Sequence, residues 1–576
     1  MWATLSAKTV EGVPVPPVGL PGRSAPADGR RRSGPGGWDN RPHIVDPDPG
    51  AAADAAFEEW QNDSTSIWLT VGGPGTDPAA VGRALGRIPL DMLPVVITAA
   101  GSTTGVLAAQ ALSDVLHGRG VTAAEGGSLG ADPVGRLLRT GQESPGSAVD
   151  AVIRDVASMA TDLAIGALVA DGATAHLRGA GDAGEIGYTL ATGVHYLREL
   201  ERCGYSLAQS LQLIHLRLAA TDDQFATISK FRAARALWAR IADLSGDADG
   251  WTLQIHAVTS TPMMTRYDPW TNLLRTTVAT FAAGVGGADA LTVQPFDAAL
   301  GIPDAQGRRL ARNISALLMQ EAHVADVADP AGGSWAVETL TDAVADAAWT
   351  EFLLIEQEGG VIASIDDGSL GSRFAGSRDR RTDRINTRSQ TISGISEFPL
   401  SGEQLLPRQP YPGAPSGSGG LEERSWAADF EALRDEPMDD PVFLATLGPL
   451  AAHAARAGFA ANALAAGGVR ITPGGPTATV QDVLLAFEAR SGAGDTAGTV
   501  VCLVGTDLAY AESAASVISA LREAGACWFI LAGRPSRDIS DLLDDHIAIG
   551  DDVLAFLHRT RRALARPVPA GRGAKS

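Results

Sequence analysis

The chain has 576 residues, 67 of them acidic and 46 basic, for a formal net charge of −21. That length exceeds what one hydrophobic core supports, so two or more domains are expected. A surface this negative repels phosphate backbones and anionic lipid, which argues against nucleic acid or a membrane surface as partner.

The N-terminus carries no basic flank followed by an apolar run, so no secretory signal is expected. No apolar run reaches the ~20 residues needed to cross a bilayer. Cys203, Cys502 and Cys527 are odd in number and far apart. They offer neither a disulfide framework nor a zinc spacing, and a reduced cytoplasm is the expected location.

In chain order, residues 1–55 come first. They are rich in Pro, Gly and Arg, as in "VPVPPVGLPG" and "GRRRSGPGGW". Such a composition reads as an extended arm without a core of its own. Trp2 and Trp38 point to docking on a surface, because exposed indole is costly unless covered.

Residues 56–400 alternate short apolar runs with helical stretches. "SIWLTV" (66–71), "PVVITA" (94–99), "LAIGALVA" (163–170), "LQIHAV" (253–258) and "ADALTV" (288–293) read as buried parallel strands. Helices are expected at 183–203 and 224–244. The alternation predicts a (β/α)8 TIM-type barrel, with a large open α/β sheet as the alternative. "VGGPGTDPAAVG" (71–82) fails as a dinucleotide fingerprint, since Pro78 stands at the third glycine position. His256 lies at the carboxyl end of a barrel strand, the face where such barrels do chemistry. The run "RDRRTDRINTR" (378–388) reads as a solvated helix face.

Residues 401–437 read as a linker, centred on "LPRQPYPGAPSGSGGLEERSW" (406–426). From 438 to 576, five apolar strands alternate with helix-length stretches, which predicts a flavodoxin-like doubly wound sheet. Ligands bind such sheets at the carboxyl ends of the strands. The segment "LGPLAAHAARAGF" (447–459) is the exit of the first of these strands, and it places His453 near that edge.

The stretch "MMTRYDPWTNLLRTTVATFAAGVGGADALTVQPFDAALGIPDAQGRRLARN" (263–313) resembles the methylmalonyl-CoA mutase family. "FRAARALWARI" (231–241) and "ADPAGGSWAVETLT" (328–341) support the resemblance. It implies an adenosylcobalamin-dependent isomerisation of methylmalonyl-CoA and succinyl-CoA. It also implies an acyl-CoA barrel followed by a cobalamin-binding-type domain.

Against the family's D-x-H-x-x-G cobalt-ligand loop, the histidine falls on His453. The aspartate position is Ala451, the glycine position Arg456, and an upstream lysine position Leu447. A later glycine pair aligns with Gly533-Arg534. The family's R-T-H-S-Q-T-S-G segment becomes Gln254 to Thr261, which keeps His256 and loses the arginine and glutamine. The arginine-glutamine-tyrosine segment most nearly matches Arg41-Pro42-His43. His256 and His453 are thus expected as remnants of a catalytic and a cofactor-binding position.

"RLAATDDQF" (217–225) and "HAVTSTPMMTRYDPW" (256–270) resemble the small, or beta, subunit branch of the bacterial heterodimeric enzymes. That resemblance implies a non-catalytic chain paired with a catalytic large (alpha) subunit that holds adenosylcobalamin, with acyl-CoA in the complex. Two alternatives are a self-sufficient adenosylcobalamin mutase and a stand-alone acyl-CoA-binding protein.

Overall fold

A computed structural model describes residues 5–20, 37–140, 146–246, 252–411, 425–491 and 500–566. Trp2, residues 21–36 of the expected arm and residues 412–424 of the expected linker lie outside the described residues. The chain divides into two compact units, Met1–Asp379 with Leu406–Ser425, and Arg380–Leu405 with Trp426–Ser576.

The first unit begins with a short antiparallel pair, β1 (Ala7–Lys8) and β2 (Pro14–Val15). A nine-membered curled sheet follows. Its strands are β3 (Asp39–Asn40), β4 (His43–Ile44), β5 (Ile67–Val71), β6 (Val95–Ala99), β7 (Ser128–Ala131), β8 (Gly166–Asp171), β9 (Ile214–Ala220), β10 (Ile255–Thr259) and β11 (Ala290–Thr292). All pairings are parallel, in the order β3-β11-β10-β9-β8-β7-β6-β5-β4.

The two ends of this order are neighbours in the chain, separated only by Arg41 and Pro42. The Arg41 amide donates to the Leu291 carbonyl, and the Trp68 amide donates to the Pro42 carbonyl. One short segment therefore bonds to both edges of the sheet. Trp38 is buried, and its indole N–H donates to Ser315 Oγ at 3.3 Å. A helix, Pro49–Gln61, starts inside the stretch that composition marks as arm. Its N-cap Asp48 accepts from the Gly50 amide, and Pro49 occupies the first turn, where its missing N–H costs nothing.

The helices Asp182–Arg202 and Gln224–Leu244 run within one residue of the expected ranges. Both are buried over much of their length. Inside them, Lys230 donates to Asp182 and Glu185, each at 2.9 Å, and Glu185 Oε1 accepts from the Ala219 amide at 2.6 Å. This buried group ties two helices to β9. Arg232 similarly reaches Glu338 at 2.6 Å on the helix Trp335–Gln357.

The second unit is a five-stranded parallel sheet: β12 (Met438–Thr446), β13 (Val469–Pro473), β14 (Val500–Val504), β15 (Trp528–Ala532) and β16 (Asp545–Ile547). The strand order is β13-β12-β14-β15-β16, so the chain reverses direction across the sheet between β12 and β14. Its central strand β14 is buried throughout, and β15 is buried beyond its first residue, as parallel strands covered on both faces must be. The helices Leu450–Ala466 and Val553–Leu564 are among those that cover it. Residues 537–544, one of the helix-length stretches between the strands of this unit, form one short turn, Arg537–Ser540, after which the chain enters β16. Arg434, in the helix Ala428–Asp435, donates to the carbonyls of Gly394 and Leu400 and to Glu403. No helix among the described residues is long and apolar enough to cross a membrane.

Candidate functional site

Alternate residues of a strand share one face of the sheet. On β9 that rule groups His215 with Arg217, and on β10 it groups His256 with Val258. Arg217 and His256 are paired in register across the β9–β10 ladder. Trp68 on β5 packs with Val96 on β6 and Val258 on β10, although β5 and β10 are not ladder neighbours. The sheet curls until these faces meet, and its interior is filled by their side chains.

Arg217 is the hub. Its Nη1 donates to Asp171 at 2.9 Å, its Nη2 to Thr98 Oγ1 at 3.4 Å, and its Nε to His256 Nδ1 at 3.3 Å. Its guanidinium carbon lies 4.2 Å from the centre of the Trp68 ring, a cation–π contact. Trp68 donates from its indole nitrogen to Thr98 Oγ1 at 2.8 Å. His43 stacks on that indole, with centroids 3.5 Å apart and planes 7° from parallel. His43 Nε2 meets Thr70 Oγ1 at 2.7 Å.

The hydrogen bonds fix the state of His256. The Thr292 hydroxyl donates to the Arg41 carbonyl at 2.6 Å, so it accepts from His256 Nε2 at 2.8 Å. The proton therefore sits on Nε2, and Nδ1 offers its lone pair to the guanidinium. Burial, then the charges of Arg41 and Arg217, hold the His256 pKa well below its ordinary value. Burial and Arg217 push His43 down to about 3, and burial with Arg41 and Arg217 pushes His215 down to about 4. All three imidazoles are neutral at physiological pH. Arg41 itself donates from Nε to Asp39 at 3.0 Å and to Ser66 at 2.8 Å.

At the carboxyl ends of β6 and β7 lies a cavity of about 170 Å³, lined by Thr98, Asp132, Arg136 and Arg139, among others. Asp132 accepts from the Tyr196 hydroxyl at 3.0 Å. Burial raises its pKa to about 6 against the opposing pull of Arg139. Arg136 is committed to the carbonyls of Gly101 and Thr103.

In the second unit, β12 ends at Thr446 and the chain turns at Gly448, whose φ of +85° is open to glycine at little cost. The turn aims the Gly448 carbonyl at His453 Nδ1, 3.1 Å away, in the first turn of the helix Leu450–Ala466. A carbonyl only accepts, so His453 carries its proton on Nδ1, and the ring is buried. Leu447 is part of the apolar core. Arg456 lies across the carboxyl ends of β14 and β15. It donates to the Gly505 carbonyl at 2.7 Å and to Asp507 at 2.5 Å, and its guanidinium carbon is 5.0 Å from the centre of the Tyr510 ring. A Cβ added at Gly533 would stand 3.2 Å from that carbon.

The structure places His256 and His453 in different units, each hydrogen-bonded within its own surroundings. Arg217, Asp171, Trp68 and Asp132 escape the sequence reading. The signal for Arg217 is a charged residue inside the apolar run "LIHLRLAA", which only a buried ion pair makes tolerable.

The family model for methylmalonyl-CoA mutase matches residues 79–412. A methylmalonyl-CoA mutase small subunit of Streptomyces virginiae is 43% identical over 95% of this chain and 88% of its own length. A probable methylmalonyl-CoA mutase small subunit of Mycobacterium bovis is 39% identical over 86% of this chain and 79% of its own. A methylmalonyl-CoA mutase small subunit of Propionibacterium freudenreichii subsp. shermanii is 32% identical over 96% of this chain and 89% of its own. A curled parallel α/β sheet, a second parallel sheet and similarity along nearly the whole length lead to one assignment: this chain belongs to the methylmalonyl-CoA mutase family.

Proposed function

We propose that the chain is the small (beta) subunit of an adenosylcobalamin-dependent methylmalonyl-CoA mutase. It pairs with a catalytic large (alpha) subunit and supports the interconversion of methylmalonyl-CoA and succinyl-CoA without turning over substrate itself. The nine-membered sheet is read as a closed (β/α)8 barrel, because Asp39–Ile44 bonds to both edges. The second unit is read as a flavodoxin-like, cobalamin-binding-type domain, from its strand order. The expected organisation into arm, barrel, linker and terminal domain stands as part of this reading, with Asp39–Ile44 contributed to the barrel. The compartment is the cytoplasm.

The observation that carries the proposal is the hydrogen-bonded packing of Arg217, His256 and Trp68 inside the barrel. A substrate channel needs space and unengaged polar groups, and these three side chains engage one another. The second unit points the same way. Cobalamin needs an accessible imidazole and a groove at the strand ends. His453 is buried, and Arg456 lies in that groove. These residues do not fit the cofactor, so adenosylcobalamin is assigned to the large subunit. His256 and His453 are read as packing residues that remain from an ancestral site. A self-sufficient mutase would require both the barrel interior and the strand-end groove to open.

The test is to express the chain alone and together with its large subunit, then measure cobalamin content and mutase turnover. The expected result is both properties in the pair and neither in the chain alone. Turnover by the chain alone would overturn the reading. Tight acyl-CoA binding by the isolated chain, with no co-purifying subunit, would favour the stand-alone binding protein.

A further inference from the structure

On the outer layer of the first unit, His195 and Glu199 stand four residues apart on the helix Asp182–Arg202, so both side chains share one face. Asp150, on the neighbouring helix Gly146–Leu163, faces them. One ligand atom from each of the three lies within 4.8 Å of the others. His195 Nε2 and Asp150 Oδ1 are 3.4 Å apart. Both atoms are buried, and neither has a hydrogen-bond partner. The two make a His–carboxylate contact that falls short of good hydrogen-bond geometry, so both buried atoms stay incompletely satisfied, and that calls for an explanation.

The spacing supplies one. Zinc-type ions take nitrogen and carboxylate oxygen at about 2.0–2.2 Å in tetrahedral geometry, which sets neighbouring ligand atoms about 3.4 Å apart. One nitrogen and two carboxylates suit such an ion, with water in the fourth position. We propose that Asp150, His195 and Glu199 form a site for a divalent, zinc-type cation that clips the two helices together. Arg202, which now pairs with Glu199, is displaced when the ion binds. Its competition, with that of nearby Arg198, makes the site a moderate rather than a tight one. The site lies apart from the barrel interior and does not depend on the subunit assignment.

The experiment is zinc titration of the chelator-treated full-length chain by calorimetry, with metal content measured after gel filtration. One ion per chain is expected at this site, bound with micromolar affinity, together with a rise in melting temperature. His195→Ala should weaken binding by about a hundredfold and Asp150→Asn by about tenfold. Asp326→Asn is the control, since Asp326 faces His323 at the same 3.4 Å on an exposed loop. It should leave uptake unchanged. Zinc uptake indifferent to both His195→Ala and Asp150→Asn would overturn the proposal, as would no uptake at about 100 µM zinc, some hundredfold above the expected dissociation constant.

Discussion

Arg217 donates its Nε–H to the Nδ1 lone pair of His256 at 3.3 Å. A guanidinium only donates and stays charged, so this bond exists only while His256 is neutral. The histidine that stands where the family's barrel motif has one is therefore held as an acceptor inside a closed network. Asp171 balances the charge from the other side.

Arg217→Met leaves the buried Asp171 carboxylate unpaired. The expected cost is about 3–5 kcal/mol of unfolding free energy, read from urea denaturation. Adding Asp171→Leu should return part of that loss, because the orphaned charge is gone. A double variant as unstable as the sum of the two singles would contradict the pairing.

The histidines packed against Arg217 and Arg41 give a pH dependence with a definite sign. His215 has its folded pKa lowered to about 4 by burial and by Arg41 and Arg217, against an ordinary value of 6.5. Between those values the unfolded chain binds the proton and the folded chain does not. Its contribution to stability is full above pH 6.5 and is lost as pH falls towards 4, by about 1.4 kcal/mol per pH unit. Buried Glu185, whose pKa is raised by burial, acts in the opposite direction. His215→Gln should therefore flatten the slope of stability against pH in that window by about the stated amount relative to wild type. An unchanged slope would show His215 to be solvated.

Trp68 joins His43, Arg217, Thr98 and Val258. Trp68→Ala should cost about 3–5 kcal/mol through lost contacts and the cavity left behind. No mutase activity should appear in the isolated variant, because the Arg217–His256 network stays. A coupled assay on that variant checks both points.

Arg456 is half-buried, and its partner Asp507 is exposed. Arg456→Gly should cost about 1 kcal/mol, part from the screened ion pair and part from helix propensity. On its own it should not confer cobalamin binding. Ala451→Asp and Leu447→Lys in the same chain restore the family's loop residues, and spectroscopic titration should then detect weak corrin binding. Binding by Arg456→Gly alone, as strong as by the triple variant, would show that bulk was the sole obstacle.

Strands with uninterrupted apolar runs, such as β5, β6, β14 and β15, were legible because burial on both faces leaves a continuous signature. β9 was hidden by His215 and Arg217, polar residues that only distant partners on β8 and β10 make acceptable. β7 reads as "SLGA", too short and too small to stand out. β3 and β4 lie in a stretch whose Pro and Arg content suggests an arm, and their pairing with Leu291 and Trp68 is invisible locally. Of the candidate sites, His256 and His453 stand out first by their expected strand-end positions and then by the family motifs, and in the structure His256 is the second residue of β10 rather than at its carboxyl end. The partners that now define them are backbone carbonyls and long-range side chains. Asp150, His195 and Glu199 went unnoticed because 45 residues separate Asp150 from His195.

The direct measurement is the visible absorbance of the purified chain after incubation with adenosylcobalamin and gel filtration, alone and with its large subunit. The protein alone should elute colourless, and the complex should carry the corrin spectrum. A stoichiometric corrin spectrum on the isolated chain, abolished by His453→Ala, would contradict the assignment of cofactor and chemistry to the partner.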